Sequence, residues 1–293
     1  MTSNPVEPQD VFIVGAGRAG LAMAKSLLRT RHRILGTWNR SAAASARVRA
    51  VTQAPAFHGR IPQAASTASL ILLCVSDDAL PAVVASLVEE GVVGRDMVVA
   101  HLAGALDSTL LKDVAALGAH VGSLHPVASF AEEAVLQVGT YFAVEGSPPA
   151  LAVLRAIVED VGGSALTVEP GQKPRYHAAL VVASNYMVTL AHMATRMLEQ
   201  AGLPPDGAAT ILGHLVEGTA RNLRRVGPVG ALTGPITRGD VNTVAVHLAA
   251  LADNPQQRAL YASLGIKTVA LAREQGLSEE HAVALLKLLK AAQ

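Results

Sequence analysis

The first residues in the chain that could do chemistry form a glycine-rich turn, which lies between an apolar run and a helix-like run. In this GxGxxG spacing Gly15 permits a tight turn, Gly17 lets the backbone approach a pyrophosphate, and Gly20 lets helix and strand pack closely. The free amides at the start of the helix can then hold the anion. The spacing therefore predicts a dinucleotide site whose contacts include Gly15, Ala16, Gly17, Arg18, Ala19 and Gly20.

A second set of polar residues, Asn39, Arg40 and Ser41, follows the next apolar run. An NAD enzyme usually offers a carboxylate here to the ribose hydroxyls. A guanidinium instead suits a 2′-phosphate, and Ser41 adds a hydroxyl donor. The three residues predict NADP, used as NADPH, as the cofactor. The alternative is a solvated basic loop at the start of the following helix.

Polar residues also follow later strands of the predicted sheet, where ligands of parallel sheets bind. Val75, Ser76, Asp77, His101 and Gly104 are predicted cofactor contacts on this ground.

His125 follows a strand and precedes Pro126, so it is the candidate proton donor near neutral pH. The alternative for both His101 and His125 is a structural histidine that is not needed for ligand binding.

The candidate catalytic residues of the second half lie on helical patterns and in one turn-rich segment. His177 and Ser184 share a face of a predicted helix, and Asn185 interrupts its apolar run, so His177 and Asn185 could line one groove. Lys173, just before this helix, could be a charged donor, but a solvated linker lysine is the expected interpretation.

In the turn-rich segment, Arg238 could grip a substrate carboxylate with Thr233 and Asp240 beside it. The alternatives are an interhelical hydrogen bond for Asn185 and an Arg238–Asp240 pair that only braces the loop.

Apolar runs alternate with helix-like segments through the first half and so predict the elements that position these residues. The expected fold class is α/β, a Rossmann-type doubly wound, mainly parallel sheet followed by an all-helical C-terminal domain. Asp77 or Asp78 could cap one helix and Asp107 or Ser108 the next. The pattern changes after Gly171, which predicts a nucleotide-binding domain over residues 1–169 and a helical substrate and dimerisation domain over residues 170–293.

Composition excludes several classes of function for this chain of 293 residues. A net charge of +1 and few aromatic residues argue against a nucleic-acid partner. The single cysteine, Cys74, is expected to be a buried hydrophobe, and no metal-ligand spacing or phosphate-loop motif occurs. The longest apolar stretch, Ala178 to Ala194, contains polar residues and is predicted to be a buried helix. We therefore expect a cytoplasmic protein without a membrane span.

Four strings resemble the family that pairs a Rossmann-like domain with a C-terminal domain of unknown function: HLAGAL at 101–106, GSLHP at 122–126, YHAA with ASNY at 176–186, and LTGPI with RGD at 232–240. The broader superfamily contains pyrroline-5-carboxylate reductases, ketopantoate reductases, beta-hydroxyacid dehydrogenases and deazaflavin-dependent NADP oxidoreductases. The chain lacks the Lys-x-x-Asn-Asn and Ser-Gly-Ser-Gly-Pro patterns of two of these groups, so their catalytic residues do not transfer.

This resemblance implies an NADPH-dependent oxidoreductase that reduces a small carboxylate-bearing carbonyl compound, with ketopantoate as the leading substrate. One alternative is a pyrroline-5-carboxylate-like imine reductase, and another is a non-catalytic NADP-binding regulator. The long apolar helices also predict a homodimer.

Overall fold

The computed structural model describes residues 6–130 and 135–293. Within them, eight strands form one sheet in the order β3-β2-β1-β4-β5-β6-β7-β8. Strands β1 to β6 pair in parallel, β7 runs antiparallel to β6, and β8 is parallel to β7. The strands are β1 Asp10–Val14, β2 Arg33–Trp38, β3 Ala56–Phe57, β4 Leu70–Leu73, β5 Val98–His101, β6 His120–Pro126, β7 Tyr141–Gly146 and β8 Ser164–Thr167.

Helices cover both faces of this sheet because its central strands are apolar on both sides. In β1, Val11 and Ile13 belong to one buried cluster, whereas Phe12 and Val14 belong to another. The predicted doubly wound, mainly parallel fold is confirmed. The sheet also contains β3, a strand of two residues that the apolar runs did not indicate. The helices up to residue 183 are α1 Arg18–Leu27, α2 Ala42–Thr52, α3 Leu80–Glu89, α4 Lys112–Ala115, α5 Pro148–Asp160 and α6 Lys173–Ala183.

The remaining elements are helical, as predicted for the C-terminal part. Buried Val244, Leu248, Val269, Leu285 and Leu289 join three of these helices in a core of their own. Helix α8 is kinked at Gly227, which precedes Pro228 and adopts a positive φ of 71°. The helices are α7 Asn185–Gln200, α8 Pro205–Ala231, α9 Val241–Ala250, α10 Pro255–Glu274 and α11 Glu279–Lys290.

Residue contacts divide the chain into two compact units, one that ends at Asn185 and one that runs from Tyr186 to Gln293. Helix α6 therefore belongs to the first unit together with the sheet. The predicted domain boundary after residue 169 stays a prediction.

One of the two predicted helix caps is wrong. Asp107 does cap the next turn, since its carboxylate accepts a hydrogen bond from the Thr109 amide. Asp77 and Asp78, however, lie inside a short 3-10 turn, and α3 begins after Ala79 without a side-chain cap. Because both residues already lie inside that turn, their carboxylates do not accept hydrogen bonds from the first amides of α3.

The apolar run Ala178 to Ala194 is largely exposed, so its predicted burial is wrong. Helix α7 contains no buried residue, and the side chains of Val182 and Val188 are 60% and 67% exposed. By length and composition alone, the segment Lys173–Gln200 could cross a membrane.

Candidate active site

The three glycines of the turn after β1 each have the geometry that their spacing predicted. Gly15 has a φ of 94°, and a Cβ atom there would lie 2.6 Å from Val75 Cγ1. A Cβ atom on Gly20 would lie 2.7 Å from Cys74 Cβ, so only glycine lets the helix pack this closely. Gly17 has no heavy atom within 4 Å of its Cβ position, which leaves the start of α1 open to a ligand.

We call the cavity at this turn the glycine cavity; its volume is about 370 Å³. It brings together eight of the predicted cofactor contacts. Arg47 on α2 adds a second guanidinium that the sequence analysis missed. The predicted contacts in its lining are Gly15, Ala16, Gly17, Asn39, Arg40, Ser41, Val75 and Ser76.

Four other predicted cofactor contacts do not line the glycine cavity. Gly20 packs between helix and strand, Ala19 packs against the core of the sheet, and Asp77 lies in the 3-10 turn. Arg18 is exposed and its guanidinium lies 3.5 Å from the Phe130 carbonyl oxygen.

The polar groups of the glycine cavity have donors to offer. Asn39 is 3% exposed, and its Nδ2 has no hydrogen-bond partner in the part of the chain that the structure describes. Ser41 caps α2, since its Oγ accepts a hydrogen bond from the Ala44 amide. Cys74 is buried as expected, and burial raises the pKa of its thiol to about 12, so the sulfur stays protonated.

A second cavity, of about 260 Å³, lies between the end of β6 and helix α6, and we call it the histidine cavity. His125, His177, Ser184 and Asn185 line it together. The sequence analysis placed the last three on one helix, but α6 ends at Ala183 and α7 begins at Asn185. The end of α6 and the first residue of α7 therefore both line this cavity.

His125 forms a contact network with two residues of α6. Its Nδ1 lies 2.9 Å from the Tyr176 hydroxyl, and its ring meets the Tyr176 and His177 rings edge to face at 5.7 Å. Burial, followed by the charge of Lys173, lowers the pKa of His125 to about 4. The prediction that His125 donates its proton near neutrality is therefore wrong, because the imidazole is neutral there.

The Tyr176 hydroxyl is the donor in its hydrogen bond with His125. Burial raises the pKa of the Tyr176 hydroxyl to about 12, so the phenol keeps its proton at neutral pH. When the phenol donates to Nδ1 of His125, Nε2 carries the imidazole hydrogen.

Gly104 lies in the loop after β5, directly against the imidazoles of His125 and His177. A Cβ atom on Gly104 would lie 2.8 Å from His125 Nε2 and would overlap the His177 ring. Gly104 was predicted as a cofactor contact, but the structure places it against the two histidines.

Lys173 is the residue whose environment the sequence analysis predicted wrongly. It is 0% exposed, and its ammonium donates to the Ala103 carbonyl oxygen at 2.9 Å and to Ser123 Oγ at 2.7 Å. Burial lowers its pKa to about 8 against the opposing effect of nearby Glu145. The expected solvated lysine is wrong because α6 begins at Lys173 and points it at β5 and β6. These partners are 70 and 50 residues away in the chain, so no local pattern indicates them.

His101 serves the loop after β5 and not a ligand. It is 0% exposed, its Nδ1 accepts from the Ala103 amide, and its Nε2 donates to the Asp107 carbonyl oxygen. With both ring nitrogens engaged, His101 has none left for a cofactor, which corrects its predicted role.

The predicted residues of the second unit lie between α8 and α9. Asp240 caps α9, accepting from the Thr243 amide at 3.0 Å and from its hydroxyl at 2.6 Å. These bonds lower the pKa of Asp240. Arg238 and Thr233 are exposed. Asp240 thus has a structural role in the loop, and substrate contact by Arg238 and Thr233 stays a prediction.

Among residues 6–130 and 135–293, no three His, Cys, Asp or Glu side chains are grouped so that they could hold a metal ion. The histidine cavity itself offers imidazole, hydroxyl and amide groups for hydrogen bonding.

Comparisons with solved structures show a shared fold. A putative NADP oxidoreductase from Bacteroides fragilis is 24% identical, with a TM-score of 0.69 over 88% of this chain and 96% of that one. A pyrroline-5-carboxylate reductase from Coxiella burnetii is 14% identical, with a TM-score of 0.58 over 98% of both chains. A reductive aminase from Aspergillus terreus, in complex with NADPH, is 19% identical, with a TM-score of 0.60 over 98% of this chain and 94% of that one.

No curated protein matches this sequence. Two family models do match: a Rossmann-like domain over residues 5–126 and a domain of unknown function, DUF2520, over residues 140–268. The chain therefore carries a Rossmann-like domain followed by a DUF2520 domain, the pairing that its sequence strings indicated.

Proposed function

We propose that this protein is an NADPH-dependent reductase of a small carbonyl or imine compound. The observation that carries the proposal is the presence, in one unit, of a glycine cavity suited to a phosphorylated dinucleotide and of a histidine cavity with polar groups. The NADP oxidoreductase, pyrroline-5-carboxylate reductase and reductive aminase named above have the same fold and support it.

The residues of the glycine cavity fit NADPH. The open position at Gly17 admits a pyrophosphate to the start of α1, and the unpartnered Nδ2 of Asn39 can donate to the cofactor. Arg40 and Arg47 supply guanidinium groups for the 2′-phosphate.

Both cavities lie at the carboxyl ends of strands in one sheet, where a dinucleotide binds. Strand β6 is three strands away from β1, about 14 Å at the usual strand spacing. A dinucleotide anchored at α1 can extend along this edge and reach the histidine cavity. When bound, NADPH would supply the hydride.

In the histidine cavity, the chain's residues would bind and orient the substrate. His125 is neutral and held by Tyr176, so its Nε2 can donate a hydrogen bond to the substrate oxygen or nitrogen. His177, Ser184 and Asn185 line the same opening and offer further polar contacts. A carboxylate on the substrate is part of the proposal.

The test follows NADPH absorbance with purified protein and two substrates, ketopantoate and Δ1-pyrroline-5-carboxylate, and with NADH in parallel. Turnover with either substrate and a preference for NADPH support the proposal. We expect Arg40→Ala to reduce the preference for NADPH over NADH by about 10- to 100-fold, because a charged hydrogen bond is lost. The control is Arg29→Ala, since Arg29 does not line the glycine cavity. Tight NADPH binding without any turnover would contradict a reductase and favour the regulator.

We also propose that the protein is a homodimer. Helices α7 and α8 bury only Ala208, and they expose Val188, Leu215 and Leu223 by 67%, 62% and 44%. Apolar helix faces of this kind are covered in permanent homodimers. Light scattering should give twice the mass of the chain, and Leu215→Glu should shift the mass toward the monomer. A monomer at every concentration would contradict the proposal. A cytoplasmic location and the lack of a nucleic-acid partner stay predictions.

A further inference from the structure

The histidine cavity has a buried positive charge next to its wall. The Lys173 ammonium is fixed by Ala103 O and Ser123 Oγ. Ala103 precedes Gly104, which touches the two imidazoles of the cavity, and Ser123 is two residues from His125 on the same face of β6. The ammonium is therefore built into the layer directly behind His125.

The imidazole of His125 senses this charge. After burial, the charge of Lys173 is the largest effect that opposes its protonation. Among the described residues that line the cavity, none is Asp or Glu. The electrostatic field at this wall is consequently positive.

Carboxylates act on Lys173 from the other elements, but none of them lines the histidine cavity. Glu145 is 1% exposed and accepts from both the amide and the hydroxyl of Ser108. Asp107 accepts from the amides of Thr109 and Gly171. The titratable groups around Lys173 are Glu145 on β7, Asp107 and Asp77 in the loops after β5 and β4, His101 on β5 and His125 on β6.

A positive field treats the two substrate classes differently. When a hydride adds to a ketone, a C–H bond forms, the π electrons of the C=O bond move to oxygen, and the oxygen then takes a proton. When a hydride adds to a protonated imine, the π electrons neutralise the nitrogen. The field stabilises the first transition state, in which negative charge develops at the reacting oxygen, and it opposes binding of the second substrate's reacting group, which is a cationic iminium.

We propose that Lys173 is a positioning residue that makes the histidine cavity selective for a ketone over a protonated imine. This inference rests on the proposed reductase function and names the substrate class of the same site. Lys173, held by Ala103 and Ser123, acts through His125 and does not itself touch the substrate.

The experiment measures kcat/KM with ketopantoate and with Δ1-pyrroline-5-carboxylate for the wild type, Lys173→Met and Lys173→Arg. The wild type should prefer the ketone, and Lys173→Met should reduce that preference by about tenfold or more because the charge is lost. Lys173→Arg should retain more of the preference. The wild-type rate with the ketone should fall as pH rises through about 8, where the amine loses its proton. In the Arg variant this decline should be absent.

Equal losses for both substrates in Lys173→Met, or a wild type that prefers the imine, would overturn the inference while the reductase function stands. Absence of turnover with both would instead count against the proposed function. A readout without activity covers that case: the His125 imidazole can be titrated by NMR in the wild type and in Lys173→Met. The pKa of His125 should rise in the variant, and an unchanged value would overturn the inference. Should the variant fail to fold, the wild-type His125 signals must still show a second inflection near pH 8, where Lys173 titrates.

Discussion

The glycine cavity and the histidine cavity are built from different parts of the chain. Backbone shape makes the first: Gly15, Gly17 and Gly20 lie within six residues and fix a turn and the start of a helix. Buried side chains make the second: Lys173, His125 and Tyr176 come from distant segments and hold one another. A backbone site is insensitive to pH and readable from local spacing, whereas a side-chain site is sensitive to pH and depends on the whole fold.

The largest expected difference between the two cavities appears in acid. His125 has a folded-state pKa of about 4 against an ordinary value of 6.5, so the unfolded chain binds more protons between these pH values. The free energy of unfolding should therefore fall as pH drops from 6.5 to 4, by about 3 kcal/mol from this group. Urea unfolding of His125→Gln at both pH values should show a correspondingly smaller loss.

The matched control is His58→Gln, because His58 is exposed. It should keep the full acid sensitivity of the wild type. If His125→Gln and the wild type lose the same stability in acid, the neutral imidazole is not held by the fold, and the contrast between the two cavities weakens.

A pair of identical substitutions separates the cavities next. In Gly104→Ala the methyl group must displace the His125 and His177 rings, which should cost about 1–3 kcal/mol of unfolding free energy. In Gly17→Ala the methyl group meets no protein atom, so stability should change by less than about 0.5 kcal/mol. NADPH affinity should show the opposite order, weakened in Gly17→Ala and retained in Gly104→Ala.

Thermal unfolding and NADPH titration of both variants measure these effects. A large loss of stability in Gly17→Ala, or of NADPH affinity in Gly104→Ala alone, would show that the roles of the two glycines are not divided in this way.

The smallest effect concerns the hydrogen bond between Tyr176 and His125. Tyr176→Phe keeps the ring and removes the hydroxyl, which should lower the free energy of unfolding by about 1 kcal/mol. The proposed reduction should slow by up to about tenfold, because the imidazole loses the group that orients it, while NADPH affinity stays unchanged. Tyr186→Phe is the control, since Tyr186 is 56% exposed. Equal turnover in the two variants would remove Tyr176 from the site.

The division between the cavities also marks how far the sequence could predict this protein. The alternating apolar runs indicated the sheet and its helices because β1 and β4 are buried on both faces. The glycine spacing indicated one cavity since the residues that need that spacing are neighbours in the chain.

Predictions that depended on distant contacts failed. Lys173 looked like a linker residue because its partners, Ala103 and Ser123, are 70 and 50 residues away in the chain. His125 was predicted to titrate near neutrality because neither its burial nor the Lys173 charge is visible in the strand that precedes it. The apolar run in α7 was assigned to a core that the chain does not form around it.

The tight contact at Gly104 constrains the order in which this site can change. A larger residue at position 104 overlaps the His177 ring, so it is better tolerated in a chain where position 177 has already become small. Gly104→Ala in a His177→Ala background should therefore cost less than in the wild type, a positive epistasis between the two positions. Mutational routes that enlarge position 104 are consequently easier after His177 has been shortened, and directed evolution should vary the two positions together.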